Sequence, residues 1–295
     1  MAPTARSLRA RWDTCSDRPP RQGIPFEERL KRNLFLSVKI RRHCSSARKF
    51  SKEPQGMHAK KPLVVITGAS EGIGRALAKQ FAEEGYPCLL ISRHIEPLPE
   101  LKNHEIIYAK LDVTDYSQFE AAVRAAEKIH GKTECLINNA GLLNVGEFRD
   151  IPIDKIHYEI EVLINGVING IKIVLPDMSH RKSGTIINIS SIGDRKPAPL
   201  GVGYHASKHA VRSLSESLQM AEAKNNVRIM NIAPGLIKTN IHANMGISFE
   251  NYCEMLGNPT FIMPEELAEI IMFCWKLPQR ICIRDLVVMP TDCAF

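Results

Sequence analysis

Several devices that would fix a function class are missing from this chain. Its eight cysteines (Cys15, Cys44, Cys88, Cys135, Cys253, Cys274, Cys282 and Cys293) form no Cys-x-x-Cys pair, and none combines with histidine at zinc spacing. No metal site is expected, and reduced, structural thiols suit a reducing compartment. No apolar run approaches the roughly 18 residues needed to cross a bilayer, so no integral membrane segment is expected. The Gly-x-Gly-x-x-Gly fingerprint of many dinucleotide folds is also missing. Nor does the net charge of +7 mark a nucleic-acid surface. Residues 1–56 carry fourteen Lys/Arg against five Asp/Glu, leaving 25 basic and 27 acidic residues for the remainder. That remainder is nearly neutral, and no nucleic-acid partner is expected.

The first 56 residues are rich in Arg, Ser and Pro and lack strand patterning. Leu34, Phe35, Leu36, Val38 and Ile40 among Lys31, Arg32, Lys39, Arg41 and Arg42 fit a short basic amphipathic helix, as in an organelle-targeting peptide. Asp13, Asp17, Glu27 and Glu28 are unusual for such a peptide. A second reading starts the protein proper at Met57. The expected division is a basic leader over 1–56 and a folded domain over 57–295. The expected location is cytoplasmic, or mitochondrial if the leader is a transit peptide.

Beyond residue 60, short apolar runs alternate with longer helical patterns. Strands are expected at Leu63–Thr67, Cys88–Ser92, Ile106–Lys110, Glu134–Asn138, Thr185–Ser190, Val227–Ala233 and Asp285–Met289. Helices are expected at Ile73–Glu84, Tyr116–His130, Pro152–Met178, Val202–Lys224 and Pro264–Trp275. Strands separated by helices, each strand a continuous apolar run, argue an α/β fold. We expect one Rossmann-like, doubly wound parallel sheet with helices on both faces. Gly246–Thr260 has weaker patterning and reads as a variable lid or substrate segment. His242, Met245, Phe249 and Tyr252 are either pocket-wall or packing residues.

Between the first strand and the first helix runs Thr67-Gly68-Ala69-Ser70-Glu71-Gly72-Ile73-Gly74. Glycines there allow close backbone approach, and the helix N-terminus presents N–H groups to a phosphate. Gly68, Ser70, Gly72, Ile73 and Gly74 are therefore candidate dinucleotide-binding residues. An acid at the end of the second strand would bind a ribose 2′-hydroxyl and repel a 2′-phosphate. That place holds Ser92-Arg93, and a guanidinium pairs with phosphate, so NADP(H) is expected over NAD(H). Glu71 argues mildly the other way. Asp112-Val113 could meet the adenine ring, or Asp112 could cap the helix beginning near Asp115.

Tyr204 and Lys208 lie four residues apart in one expected helix, on the same side. A phenol with an ordinary pKa of roughly 10 is a poor acid or base at neutral pH. A neighbouring ammonium favours the phenolate, so the pair could move a proton on or off a carbonyl oxygen. Arg195 and Lys196, in a Pro-containing loop, are either carboxylate holders or solvated charges. His205 points off the Tyr204 face and is expected to be structural. Leu142 and Leu143 suggest an apolar entrance.

Taken in order, Thr67–Gly74, Asp112, Asn138-Asn139-Ala140-Gly141, Ser191, Tyr204-x-x-x-Lys208 and Pro234-Gly235-Leu236-Ile237-Lys238-Thr239 resemble the short-chain dehydrogenase/reductase family across about residues 62–290. Ser191 precedes Tyr204 by thirteen residues, a spacing common in that family. The terminal Leu286-Val287-Val288-Met289-Pro290-Thr291 is similar to a subgroup of NADP-dependent reductases and 3-hydroxy acid (serine-type) dehydrogenases. The resemblance implies an NADP(H)-dependent oxidoreductase that interconverts a carbonyl and an alcohol of a small-molecule substrate. It makes Tyr204 the general acid/base, Lys208 its partner and the holder of the nicotinamide ribose, and Ser191 the donor to the substrate oxygen. It also implies that Asn139, Ala140 and Gly141 line the cofactor and that Pro234, Gly235, Ile237 and Thr239 embrace its nicotinamide end. A homodimer or homotetramer is implied by the same resemblance. One position departs from the pattern: Leu163 stands where the family usually carries an asparagine that supports a water, and Asn165 should face elsewhere. The alternative is thus a weakly active or inactive NADP-binding sensor or scaffold. Sugar-nucleotide epimerases and dehydratases differ in glycine spacing and in their longer C-terminal region.

Overall fold

The computed structural model describes residues 61–240, 248–255 and 257–293. The expected leader over 1–56, with His242 and Met245, lies outside the described residues. Seven parallel strands form one sheet: β1 (Leu63–Thr67), β2 (Cys88–Ser92), β3 (Ile106–Lys110), β4 (Thr133–Asn138), β5 (Thr185–Ile189), β6 (Arg228–Pro234) and β7 (Asp285–Val288). Their spatial order is β3-β2-β1-β4-β5-β6-β7. The chain winds outward from β1 to β3, then returns past β1 to lay down β4 on the other side. This reversal opens a crevice at the carboxyl ends of β1 and β4, the place where such sheets bind ligands.

The strands alternate their side chains between two apolar layers. Val64 and Ile66 of β1 face one side, where they pack with Leu77 and Phe81 of helix α1 (Gly72–Glu83) and Ile271 of helix α7 (Pro264–Lys276). Leu63 and Val65 face the other, with Phe119 and Val123 of α2 (Tyr116–His130) and Ile171 and Val174 of α4 (Gly166–Arg181). Because both faces are covered, β1 is buried at every position, which explains why it reads as LVVIT without polar alternation.

Helix limits follow from local chemistry. Asp115 caps α2 by accepting from the Gln118 N–H at 3.0 Å, and Gly131 ends it with φ +89°. The cap is therefore Asp115, not Asp112. At α7, Pro264 occupies the first turn, and Glu266 Oε2 accepts from the Met263 N–H at 2.7 Å. The expected helix over 152–178 is continuous but not uniform: α3 (Ile153–Ile160) passes through a π-helical turn, Glu161–Asn165, into α4. The weakly patterned stretch contains a further short helix, α6 (Phe249–Met255), after α5 (Val202–Glu222). Phe249 of α6 packs edge-on to Phe261 at 5.1 Å, so residues 249–255 are more regular than their pattern suggests.

Phe81 is fully buried, with Tyr86 and Trp275 at 5.6 and 6.2 Å between ring centroids. Phe81→Ala is expected to cost about 3–5 kcal/mol of unfolding free energy, measured by urea denaturation; a loss below about 1 kcal/mol would mean that this layer refills the void.

Candidate active site

At the end of β1 the chain makes a turn that only glycine can complete at two points. Gly68 has φ +65°, and a Cβ there would sit 2.8 Å from the Ala140 backbone. A Cβ on Gly74 would lie 2.1 Å from the Gly68 carbonyl oxygen. The turn is pinned from across the sheet. Thr67 Oγ1 accepts from the Asn139 and Ala140 N–H groups at 3.0 Å each, and Asn139 Nδ2 donates to the Thr67 and Gly68 carbonyls at 3.0 and 3.1 Å. Asn139 thus spends its amide on the turn itself.

The turn forms one wall of a cavity of about 1000 Å³. Gly68, Ser70, Gly72 and Ile73 line it, but Gly74 does not; its part is to let α1 close against Gly68. Ser92, Arg93, Asp112 and Val113 lie at the β2–β3 end, and Asn139, Ala140 and Gly141 follow β4. Ser191, Tyr204 and Lys208 lie beyond, with Pro234, Gly235, Ile237 and Thr239 after β6. All the candidate catalytic and cofactor-binding residues except Gly74 therefore converge on one space.

The Ser191, Tyr204 and Lys208 side chains come from the end of β5 and from the first two turns of α5. Lys208 is buried and donates from Nζ to the Ile189 carbonyl at 2.8 Å, with Nζ 5.5 Å from the centre of the Tyr204 ring. Ser191 Oγ accepts from the Gly193 N–H at 3.0 Å. His205 sits edge-on to Tyr204 at 5.7 Å, with Nδ1 3.3 Å from the Gly193 carbonyl oxygen, as a structural partner would.

This arrangement has known relatives. Residues 62–247 match the family model described as short chain dehydrogenase. The chain belongs to the short-chain dehydrogenase family. It is 33% identical over 245 residues to an uncharacterised oxidoreductase of Listeria monocytogenes, covering 80% of this chain and 99% of that one. It is 38% identical over 181 residues to oxidoreductase UcpA of Salmonella typhimurium, covering 59% of this chain and 69% of that one. Among solved structures, the closed form of serine dehydrogenase complexed with NADP+ superposes with a TM-score of 0.74 at 27% identity, over 79% of this chain and 96% of that one. ElxO with NADP bound gives 0.70 at 28% identity, over 78% and 98%.

Within this short-chain dehydrogenase, burial sets the protonation of the site. It pushes the Tyr204 phenol up to about 12, against the hydrogen bond with Ser191, and the charges of Glu159 and Asp194 push the same way. It pulls Lys208 down to about 8, opposed by the charge of Asp194. The phenol's shift therefore runs upward, opposite to the direction that a neighbouring ammonium would give, with burial as its largest cause. Arg195 is not a substrate holder. Its guanidinium makes a paired contact with Asp285 at 2.7 and 2.8 Å and reaches the buried Asp194 at 2.6 Å, so its donors are consumed internally. Lys196 alone of that pair lines the cavity.

Two lining residues had no signal in the linear motifs. Tyr158 and Val162 project from α3 and the π-turn into the cavity, one helical turn apart. Their i, i+4 spacing beside Leu163 was the available clue. Leu163 itself is buried, close enough that a Cβ on Gly141 would lie 3.2 Å from its Cδ2. Asn165 is exposed and donates to Glu161 at 2.8 Å, so it does not serve the site.

The shifted lysine gives a pH signature. From pH 8 to its ordinary value of about 10.4, the unfolded chain holds a proton on Lys208 that the folded chain has released, and stability rises with pH. Tyr204 acts oppositely above about pH 10, where only the unfolded chain has lost the phenolic proton. In Lys208→Met the tyrosine contribution stays and the lysine contribution goes. The stability difference, wild type minus variant, is therefore expected to rise between pH 8 and about pH 10; a difference flat across that window in chemical denaturation would refute the burial argument.

Proposed function

We propose that this chain is an NADP(H)-dependent reductase that converts an aldehyde or ketone to the alcohol, and the reverse at high pH. The observation that carries the reading is the single cavity joining Ser191, Tyr204 and Lys208 to the glycine turn and Arg93. The site's fit to a dinucleotide rests on its own shape. Gly68 and Gly72 take positive φ in the turn that lines the cavity, the start of α1 opens onto it, and Arg93 at the end of β2 supplies a cation. Gly68, Ser70, Gly72 and Ile73 would hold the pyrophosphate, and Ser92 and Arg93 the 2′-phosphate. Asp112, Val113 and Ala140 would meet the adenosine, while Gly141, Pro234, Gly235, Ile237 and Thr239 would enclose the nicotinamide. When bound, the cofactor supplies or accepts the hydride.

The protein's own part is placement and proton transfer. Ser191 donates a hydrogen bond to the carbonyl oxygen and stabilises charge developing there. Tyr204 gives its proton to that oxygen as it becomes an alkoxide. A phenol held near 12 is protonated at neutral pH, the form that donates in the reduction. Lys208, anchored on Ile189, holds the nicotinamide ribose and keeps positive charge behind the ring. Leu142, Leu143, Val145, Pro199 and Leu200 line the far end of the cavity, with Lys196 at the same mouth. A carbonyl compound with an apolar body suits that end.

The second reading, a cofactor-binding protein without turnover, is favoured by buried, apolar Leu163. NADPH oxidation against a carbonyl panel separates the two, with binding but no consumption selecting the sensor. Tyr204→Phe is expected to lower kcat by about 10²–10⁴-fold while sparing NADPH affinity; retained turnover removes the phenol from the mechanism. Arg93→Asp is expected to weaken NADPH binding about tenfold or more and to favour NADH. An unchanged preference, read from the two dissociation constants, would assign the phosphate to another group.

A further inference from the structure

We propose that Tyr158 is a positioning residue for cofactor choice, its hydroxyl holding Arg93 and Asp112 apart so that the guanidinium stays available to a 2′-phosphate. The inference rests on the NADP(H) reading above and names a residue of that site that no motif carries. Arg93 Nη1 donates to the Tyr158 hydroxyl at 2.6 Å, and the hydroxyl donates to Asp112 Oδ2 at 2.6 Å. The other carboxylate oxygen, Oδ1, accepts from the Thr114 N–H and hydroxyl at 2.9 Å each. The Arg93 guanidinium carbon also lies 5.4 Å from the Tyr158 ring centre, within cation–π range. All three side chains line the β2–β3 end of the cavity.

The direction of the bonds is forced. A phenol has one hydrogen to give, and Asp112 can only accept while ionised, so Arg93 must be the donor to the phenol oxygen. Burial works to raise the Asp112 carboxyl, yet the bonds from Tyr158 and Thr114 and the charge of Arg93 hold it below its ordinary value. Burial and the bond to Asp112 push the Tyr158 phenol up, so it remains a donor. The intervening hydroxyl takes a single N–H of the guanidinium fork, which has five. A direct Arg93–Asp112 contact would be the two-pronged pair that guanidinium and carboxylate prefer, and would use the face that a phosphate needs. The phenol therefore does two things. It orients Arg93 by hydrogen bond and ring contact, and it keeps a carboxylate from capturing the cation.

The test uses half-molecules of the cofactor, so that turnover plays no part. Wild type, Tyr158→Phe and the double variant Tyr158→Phe/Asp112→Asn are titrated by calorimetry with adenosine 2′,5′-bisphosphate and with adenosine 5′-monophosphate. Tyr158→Phe keeps the ring and is expected to lose about tenfold in bisphosphate affinity, with less than about twofold change for the monophosphate. Removing the carboxylate as well is expected to restore most of the bisphosphate affinity, a rescue that a merely structural tyrosine would not show. Unchanged bisphosphate affinity in Tyr158→Phe, or equal weakening toward both probes, overturns the inference and leaves the NADP(H) reading standing. A wild-type protein that binds the two probes alike overturns that reading and this inference with it.

Discussion

The close approach of two backbones at the carboxyl end of β1 and β4 governs the rest of the site. Thr67 and Asn139 exchange side-chain and main-chain hydrogen bonds across this gap, and Gly68 and Gly74 provide the room for it. Were either glycine larger, α1 could not start where it does, because Gly74 would strike the Gly68 carbonyl. The cavity exists because the sheet reverses direction here and because these residues hold the two strand ends in a fixed relation. Every proposed cofactor contact is referred to this pinch, since β2 and β5 are in register with β1 and β4, and β3 and β6 are in turn in register with β2 and β5.

From that frame the arrangement around Tyr204 and Lys208 follows by burial. The chain places Lys208 against the Ile189 carbonyl, at the edge of the core, and commits Asp194 to Arg195 and Asn231. Asp194 has no exposure, and its two oxygens are occupied by the Arg195 guanidinium and the Asn231 amide. Arg195 is the keystone of that arrangement, clamping the loop after β5 to β7 through Asp285. An arginine beside an active site suggests substrate binding; here its two carboxylates account for it. A second buried carboxyl, Glu159, accepts from the Asn144 N–H at 2.7 Å and lies where a Cβ on Gly203 would be 2.4 Å from its Oε2. It ties the loop after β4 to the start of α5, the helix that carries Tyr204. Burial raises its carboxyl above the ordinary value.

Much of this was legible in the linear chain, for identifiable reasons. Strands buried on both faces are continuous apolar runs, and helices flanked by Gly85, Gly131 or Pro264 announce their ends. Ser92-Arg93 and Tyr204–Lys208 were readable because strand ends and i, i+4 spacing fix where those side chains go. What stayed hidden depends on three-dimensional partners. Gly74 looked like a ligand contact and is a packing contact. Arg195 looked free, and only β7, ninety residues away, shows that it is not. Tyr158 belongs to no motif, because its meaning comes from β2 and β3 meeting α3. The upward shift of the Tyr204 phenol likewise comes from burial, which no linear motif carries. Helical spacing reveals a neighbouring charge, but not how little water surrounds both groups.

Leu163 shows why membership in the short-chain dehydrogenase family has to be carried over one residue at a time. The resemblance leads one to expect an amide there, facing a water. Instead an isobutyl group packs against Gly141 inside a π-helical turn, a distortion frequent at functional sites. The turn also swings Asn165 to the surface, so the nearby asparagine does not compensate. The polar groups that bear on the phenol come from other elements: Ser191 after β5, Tyr252 on α6, Glu159 on α3 and Asp194 in the loop before α5. Any proton that Tyr204 gives up must be restored through groups of that kind or through the cavity mouth. The scaffold is thus inherited, whereas the surroundings of the Tyr204 hydroxyl belong to this chain. The apolar substitution at Leu163 is best understood together with the buried carboxyl of Glu159 one turn earlier on the same helix.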